Sequence, residues 1–116
     1  MPTALVVDDH PSFRASARAV LEAAGFDVLG EAASGAAALD AIGQLDPDVV
    51  LLDVQLPDMT GFDVCAALGS ERPSRDVILV SSRDATDYGD AIARSGACGF
   101  IAKADLSAET IAALRR

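Results

Sequence analysis

An α/β domain built on a parallel sheet is the fold class this sequence predicts, and two patterns predict it. Short β-branched apolar runs recur five times along the chain, and longer alanine-rich stretches of helical character fall between them. Near-continuous apolar runs of about four residues mark strands covered on both faces, and strand-helix alternation implies right-handed βαβ crossovers. Length and composition agree. The 116 residues, 51% hydrophobic and 23% charged, suit one domain spanning 1–116 with a core that needs neither disulfide nor structural metal.

In chain order, the strands are expected at Ala4–Val7, Val28–Leu29, Val49–Leu52, Val77–Val80 and Phe100–Ala102. The first helix, over residues 11–24, places Phe13, Ala17, Val20, Leu21 and Ala24 on one face, with Pro11 in its first turn and Gly25 just past its end. The second, over 34–44, opens on Ser34 as N-cap and closes near Gly43. Shorter helices are expected over 61–69, 85–95 and 107–115. Gly89 in the middle of the fourth weakens it by roughly 1 kcal/mol relative to alanine and makes it the helix expected to move most easily. From Ser107 to Arg116 there is room for barely three turns, so the last helix is short, as in a truncated domain or one completed by a partner.

Composition excludes several function classes. Nine basic against 18 acidic residues give a net charge of −9, which repels a phosphate backbone and argues against direct nucleic-acid binding by this chain. No stretch approaches the ~18 apolar residues of a membrane span. The opening Met1-Pro2-Thr3, Ala4–Val7, Asp8-Asp9 lacks the pattern of a signal peptide. Cys65 and Cys98 have neither disulfide-framework nor metal-ligand spacing and are expected as small apolar residues in a reducing compartment. A cytoplasmic protein is expected. Gly30–Gly35 has the glycine spacing of a phosphate loop, but Ala36-Ala37 stands where Lys and Ser/Thr are required, so nucleotides are not expected ligands.

In an open parallel sheet, ligands bind beyond the carboxyl ends of the strands. Those ends are polar here: Asp8-Asp9-His10 after the first strand, Asp53 after the third, Ser81-Ser82 after the fourth and Lys103 after the fifth. Carboxylates gathered without compensating charge repel, so one takes up a proton or a cation binds. An oxygen-only cluster suits Mg²⁺, which keeps several waters and combines one or two carboxylates with a phosphate. Ser81 and Lys103 then suit a phosphoryl oxygen. Singly, each of these aspartates reads as a helix cap or a solvated loop residue, and His10 reads as a loop residue; jointly, the carboxylates do not.

With these residues in place, the chain resembles the receiver domain of two-component response regulators over essentially its whole length. The resemblance rests on Asp8-Asp9, on the run Leu52-Asp53-Val54-Gln55-Leu56-Pro57-Asp58-Met59-Thr60-Gly61, on Ser81, and on Gly96-Ala97-Cys98-Gly99-Phe100-Ile101-Ala102-Lys103. Asp8-Asp9-His10-Pro11 followed by Phe13-Arg14 further resembles receivers that precede helix-turn-helix transcription effectors, although no effector domain is expected within this chain. The resemblance implies a flavodoxin-like (βα)5 fold, its sheet in the order 2-1-3-4-5 with helices on both faces. Asp9 would then lie next to Asp53, with Ser81 on the neighbouring strand. Lys103 would be two strand spacings from Asp53, about 10 Å, of which only a long side chain covers most.

The same resemblance implies the roles. Asp53 would be the phosphoacceptor, taking a phosphoryl group from a sensor histidine kinase or a small phosphodonor. Mg²⁺ would be held by Asp9, Asp53 and the main-chain carbonyl of Gln55, and through water by Asp8. Ser81 would bond the phosphoryl group and Phe100 would turn in response, remodelling the face of helix four, strand five and helix five for an output effector. Phe100 also reads simply as a core residue. Gln55 and Arg83 would flank the phosphate entrance and set the rate of hydrolysis. A phosphorylation-linked homodimer stays open. The expected chemistry is confined to the domain's own aspartyl phosphorylation and dephosphorylation, so no enzyme in the ordinary sense is expected.

Two alternatives come from other classes. A non-switching interaction scaffold would bind its partner regardless of phosphorylation, but would have no need of mutually repelling carboxylates. A haloacid-dehalogenase-like phosphohydrolase also uses an aspartyl-phosphate, but wants a second Asp two residues after the nucleophile, where this chain has Gln55. One departure from the receiver pattern is Ala104, where many relatives have a cis proline, which affects the aim of Lys103.

Overall fold

Strands and helices alternate as the periodicity requires in the computed structural model, which describes residues 1–69 and 72–115. Ser70, Glu71 and Arg116 lie outside the described residues, so the domain expected over 1–116 and the final segment from Ser107 are described only to Arg115. The elements are β1 (Thr3–Val7), α1 (Pro11–Ala23), β2 (Asp27–Ala32), α2 (Gly35–Leu45), β3 (Val49–Asp53), α3 (Gly61–Leu68), β4 (Asp76–Ser81), α4 (Ala91–Arg94), β5 (Gly99–Ala102) and α5 (Ala108–Leu114). All five strands are parallel, in the order β2-β1-β3-β4-β5.

Because successive strand residues point to opposite faces, the apolar runs divide between two cores. Ala4, Val6, Val49, Leu51, Ile78, Val80 and Ile101 face one way, where they meet Ala17 and Leu21 of α1 and Ile111 of α5. Leu5, Val7, Val50, Leu52 and Leu79 face the other way, against Ala38 and Ile42 of α2 and Val64 and Cys65 of α3. Helices therefore cover both faces.

Element ends follow local chemistry. Ser34 Oγ accepts the Ala37 N–H and Thr60 and Asp63 close a capping box on α3. Three expectations need correction. The second helix does not close at Gly43 but runs to Leu45, where Asp46 takes the left-handed cap at φ 49°. The second strand runs over Asp27–Ala32, since as an edge strand it is covered only intermittently and polar residues interrupt its apolar run. The fourth helix is not continuous over 85–95: Ala85–Tyr88 forms a 3-10 turn, Gly89 breaks the chain at φ 57°, and only Ala91–Arg94 is α-helical. Nothing on α4 is fully buried, so little packing was available to carry a helix through the glycine.

Cys65 is buried, and Cys98 is half-buried with its Sγ donating to the Val77 carbonyl at 3.4 Å. Burial pushes the Cys65 thiol up to about 11, which keeps it protonated and inert. Among the described residues no helix is long and apolar enough to cross a membrane.

Candidate functional site

Parallel pairing brings four strand ends to one edge of the sheet. Asp53, the last residue of β3, is 3% exposed, and Asp8, one residue past β1, is fully buried. Asp8, Asp9, His10 and Asp53 each offer one potential ligand atom within 4.8 Å of the others, an arrangement with room for a cation. The cleft above Asp53 is lined by Asp9, His10, Gln55, Leu56, Pro57, Ser82 and Lys103.

Lys103 reaches farther than the strand spacing suggests. After β5 the chain tightens into a 3-10 turn over Lys103–Asp105, with every peptide bond trans. From there the side chain sets Nζ 2.6 Å from Asp8 Oδ2 and 3.4 Å from Asp53 Oδ2. The Phe13 ring of α1 lies 4.5 Å from the ammonium, a cation–π contact that flanks it with a face of negative potential.

This geometry separates the two carboxylates. Burial acts to raise the Asp8 carboxyl, but the ion pair with Lys103 and the hydrogen bond from the His10 N–H outweigh it and hold Asp8 below the usual range. Asp53 goes the other way. Burial lifts it, the Gln55 N–H at 3.2 Å draws it back only in part, the Asp8 charge lifts it again, and the more distant ammonium compensates incompletely, leaving Asp53 at about 6. Desolvation works against the Lys103 charge as well, yet the two carboxylates raise its pKa above the ordinary value and it stays an ammonium. Three carboxylates thus face one lysine, and a dication with oxygen ligands fits the donor set.

The glycine at 61 explains how closely the loop returns. A Cβ there would sit 2.6 Å from the Asp53 carbonyl oxygen, and the Gly61 N–H donates to the Val54 carbonyl at 2.7 Å. Gln55 and Thr60 pair across this loop, so the turn after Asp53 is closed on itself.

Other expected site residues stand differently. His10 is exposed, as a loop residue should be, but its Nδ1 lies 3.1 Å from both Asp8 Oδ1 and Asp9 Oδ1, so it belongs to the cluster. Ser81 is buried and does not line the cleft; Ser82 does. Ser81 Oγ instead lies 2.6 Å from the Tyr88 hydroxyl and accepts the Arg83 N–H at 3.0 Å. Tyr88 was not legible in the sequence, because its approach depends on the 3-10 turn that replaces the expected helix. Its ring contacts Phe62 on one side, centroids 5.7 Å apart, and Phe100 on the other at 6.0 Å. Phe100 is half-buried, so it is neither a sealed core residue nor a free one. The Arg83 side chain does not line the cleft, whereas Gln55 does.

Residues 4–115 match the family described as response regulator receiver domain. The chain belongs to that family. Among curated relatives, this receiver domain is 33% identical to the DNA-binding transcriptional activator EvgA of Escherichia coli K12 over 111 residues, 96% of this chain and 54% of EvgA. It is 37% identical to the nitrate/nitrite response regulator protein NarP of the same organism over 100 residues, 85% of this chain and 46% of NarP. The chain therefore spans about half the length of these relatives. Among solved structures, the signal receiver domain assigned to the response regulator NarL of Mycobacterium tuberculosis superposes with a TM-score of 0.83 at 35% identity, covering 97% of this chain and 95% of that one.

Proposed function

We propose that this receiver domain is a phosphorylation-dependent signalling switch in which Asp53 accepts a phosphoryl group from the phosphohistidine of a sensor histidine kinase. The observation that carries this is the buried Asp53 carboxylate at the floor of an open cleft, with two further carboxylates and one ammonium around it. In the transfer, an Asp53 oxygen forms a bond to phosphorus while the phosphorus–nitrogen bond breaks and its electron pair stays on the imidazole. With its pKa at about 6, Asp53 is mostly ionised at neutral pH and needs no general base.

Asp9 and Asp53 would hold Mg²⁺ together with the main-chain carbonyl of Gln55, which lines the same cleft, and Asp8 would act through water. When bound there, Mg²⁺ supplies charge neutralisation at the phosphoryl oxygens. Lys103 bonds a phosphoryl oxygen, giving up part of its contact with Asp8. Ser81 donates to another, which requires its hydroxyl to leave Tyr88. That exchange frees Tyr88 and Phe100, and the face of α4, β5 and α5 changes for an output partner. Output is transcriptional on this reading, through an effector domain or protein or a phosphorylation-linked homodimer, in the cytoplasm. The domain's only chemistry is its own phosphorylation and dephosphorylation.

Mass spectrometry after treatment with acetyl phosphate and Mg²⁺ tests the assignment. Wild type gains one phosphoryl group and Asp53→Asn gains none; equal labelling of the two would overturn it.

A further inference from the structure

The loop that leaves Asp53 does not end its contacts at its own base. Its tip reaches the first turn of α2, more than twenty residues earlier in the chain. The Gly35 N–H donates to Asp58 Oδ1 at 2.8 Å and the Ala36 N–H donates to Asp58 Oδ2 at 3.0 Å. Ser34 Oγ takes the next amide, Ala37, at 3.1 Å. Three amides at the start of α2 are therefore satisfied by two side chains, one local and one supplied by the acceptor loop. The neighbouring Met59 lies directly over Gly35, where a Cβ would collide with its Cγ and Sδ. Polar and steric contacts thus join the same two segments.

The placement matters because of what stands between Asp53 and this clamp. Gln55, Leu56 and Pro57 line the cleft, and Asp58 follows immediately. Inside the loop, the Leu56 N–H donates to the Met59 carbonyl at 3.2 Å and Gly61 closes on Val54. The loop base is thereby held by β3 and α3, and its outer end by α2. A carboxylate at a helix N-terminus is favoured by the local dipole, so the clamp is charge-assisted.

We propose that Asp58 is a positioning residue for the acceptor site: by capping α2 it sets where the Gln55 carbonyl and the Leu56-Pro57 rim stand relative to Asp53. This rests on the metal assignment above for its effect on Mg²⁺, and on the loop contacts alone for its effect on the rim. Asp58 itself does not line the cleft.

The test uses the whole chain as wild type, Asp58→Ala, Asp58→Asn and Ser34→Ala. Mg²⁺ titration followed by two-dimensional amide NMR gives affinity, and amide hydrogen exchange at Leu56 and Gly61 without metal gives the order of the loop. Asp58→Ala is expected to speed exchange at both amides and to weaken Mg²⁺ binding roughly tenfold, the scale of lost outer-shell support. Asp58→Asn, keeping one acceptor oxygen, recovers part of both. Ser34→Ala removes a cap from the same helix end without touching the loop, so it lowers stability but leaves Mg²⁺ affinity unchanged. Wild-type exchange rates in Asp58→Ala, unchanged Mg²⁺ affinity in that variant, or an equal loss of affinity in Ser34→Ala would each overturn the proposal. A wild type that ignores Mg²⁺ removes the metal assignment instead, and exchange at Leu56 and Gly61 still decides whether Asp58 holds the rim.

Discussion

The two ends of the sheet carry similar acids and treat them in opposite ways. At the amino end, Asp46 meets Arg72 at 2.8 Å and Arg75 at 2.6 Å, Asp48 meets Arg72 at 2.6 Å, and Asp76 meets Arg115 at 2.9 Å. Each of those carboxylates has a guanidinium, and Asp48 also accepts the Thr3 N–H and hydroxyl. At the carboxyl end, Asp8 and Asp53 share Lys103, and Asp9 has only the His10 ring beside it. Asp48 is accordingly held down at about 2, first by the Thr3 amide and then by Arg72, while Asp53 is pushed up to about 6. Equal numbers of opposite charges make a latch; the carboxyl end is left with an excess of acid over its one lysine. Net charge alone, summed over the chain, hides that difference.

The largest way to break the comparison is Asp53→Asn, which is expected to abolish phosphoryl labelling. The same variant is expected to be more stable than wild type at neutral pH, by about 1–3 kcal/mol in urea unfolding, because a buried, imperfectly compensated charge is removed. Destabilisation by Asp53→Asn would mean that Lys103 compensates the site fully. Next in size is Lys103→Met, expected to destabilise by about 3 kcal/mol because Asp8 is left buried without its cation. Added Mg²⁺ should restore part of that loss, and a failure to do so would count against the carboxyl end as a cation site.

At the balanced end, Asp48→Asn is expected to cost about 1–2 kcal/mol at pH 7 through weakened bonds to Thr3 and Arg72. The folded pKa of Asp48 lies below its ordinary 3.8, so its contribution is fully present above about that pH and is lost as pH falls toward about 2. Stability curves of wild type and variant should converge over that window. Parallel curves would show that the ionised carboxylate is not what matters there. Smallest is Tyr88→Phe, worth about 1 kcal/mol by loss of the bond to Ser81. Its sharper readout is beryllofluoride titration by amide NMR: with Ser81 released, the shifts near Phe100 that wild type shows on binding should already be partly present beforehand.

Much of the fold was legible because apolar runs and helix caps are local signals. Val49–Asp53 is buried throughout, Ser34 and Gly25 stand where a helix begins and ends, and strand order followed from the family resemblance. The edge strand β2 and the segment around Gly89 depart from the sequence expectation for the converse reason. Around β2 and Gly89 the local signal is weak, and partners distant in sequence decide how far each element extends.

For the site, the sequence by itself determined which side chains stand at the carboxyl ends of the strands, since the end of each apolar run marks where the chain leaves the sheet. Tertiary structure alone decided how they share charge. Lys103 at the end of β5 meets Asp8 at the end of β1, Tyr88 takes the Ser81 hydroxyl, and Asp58 caps a helix 23 residues away. Ångström-scale competition for one ammonium, one hydroxyl or one row of amides sets each of these outcomes. Residue spacing along the chain carries no such distances, because they arise only when strands from separate βα units are laid side by side.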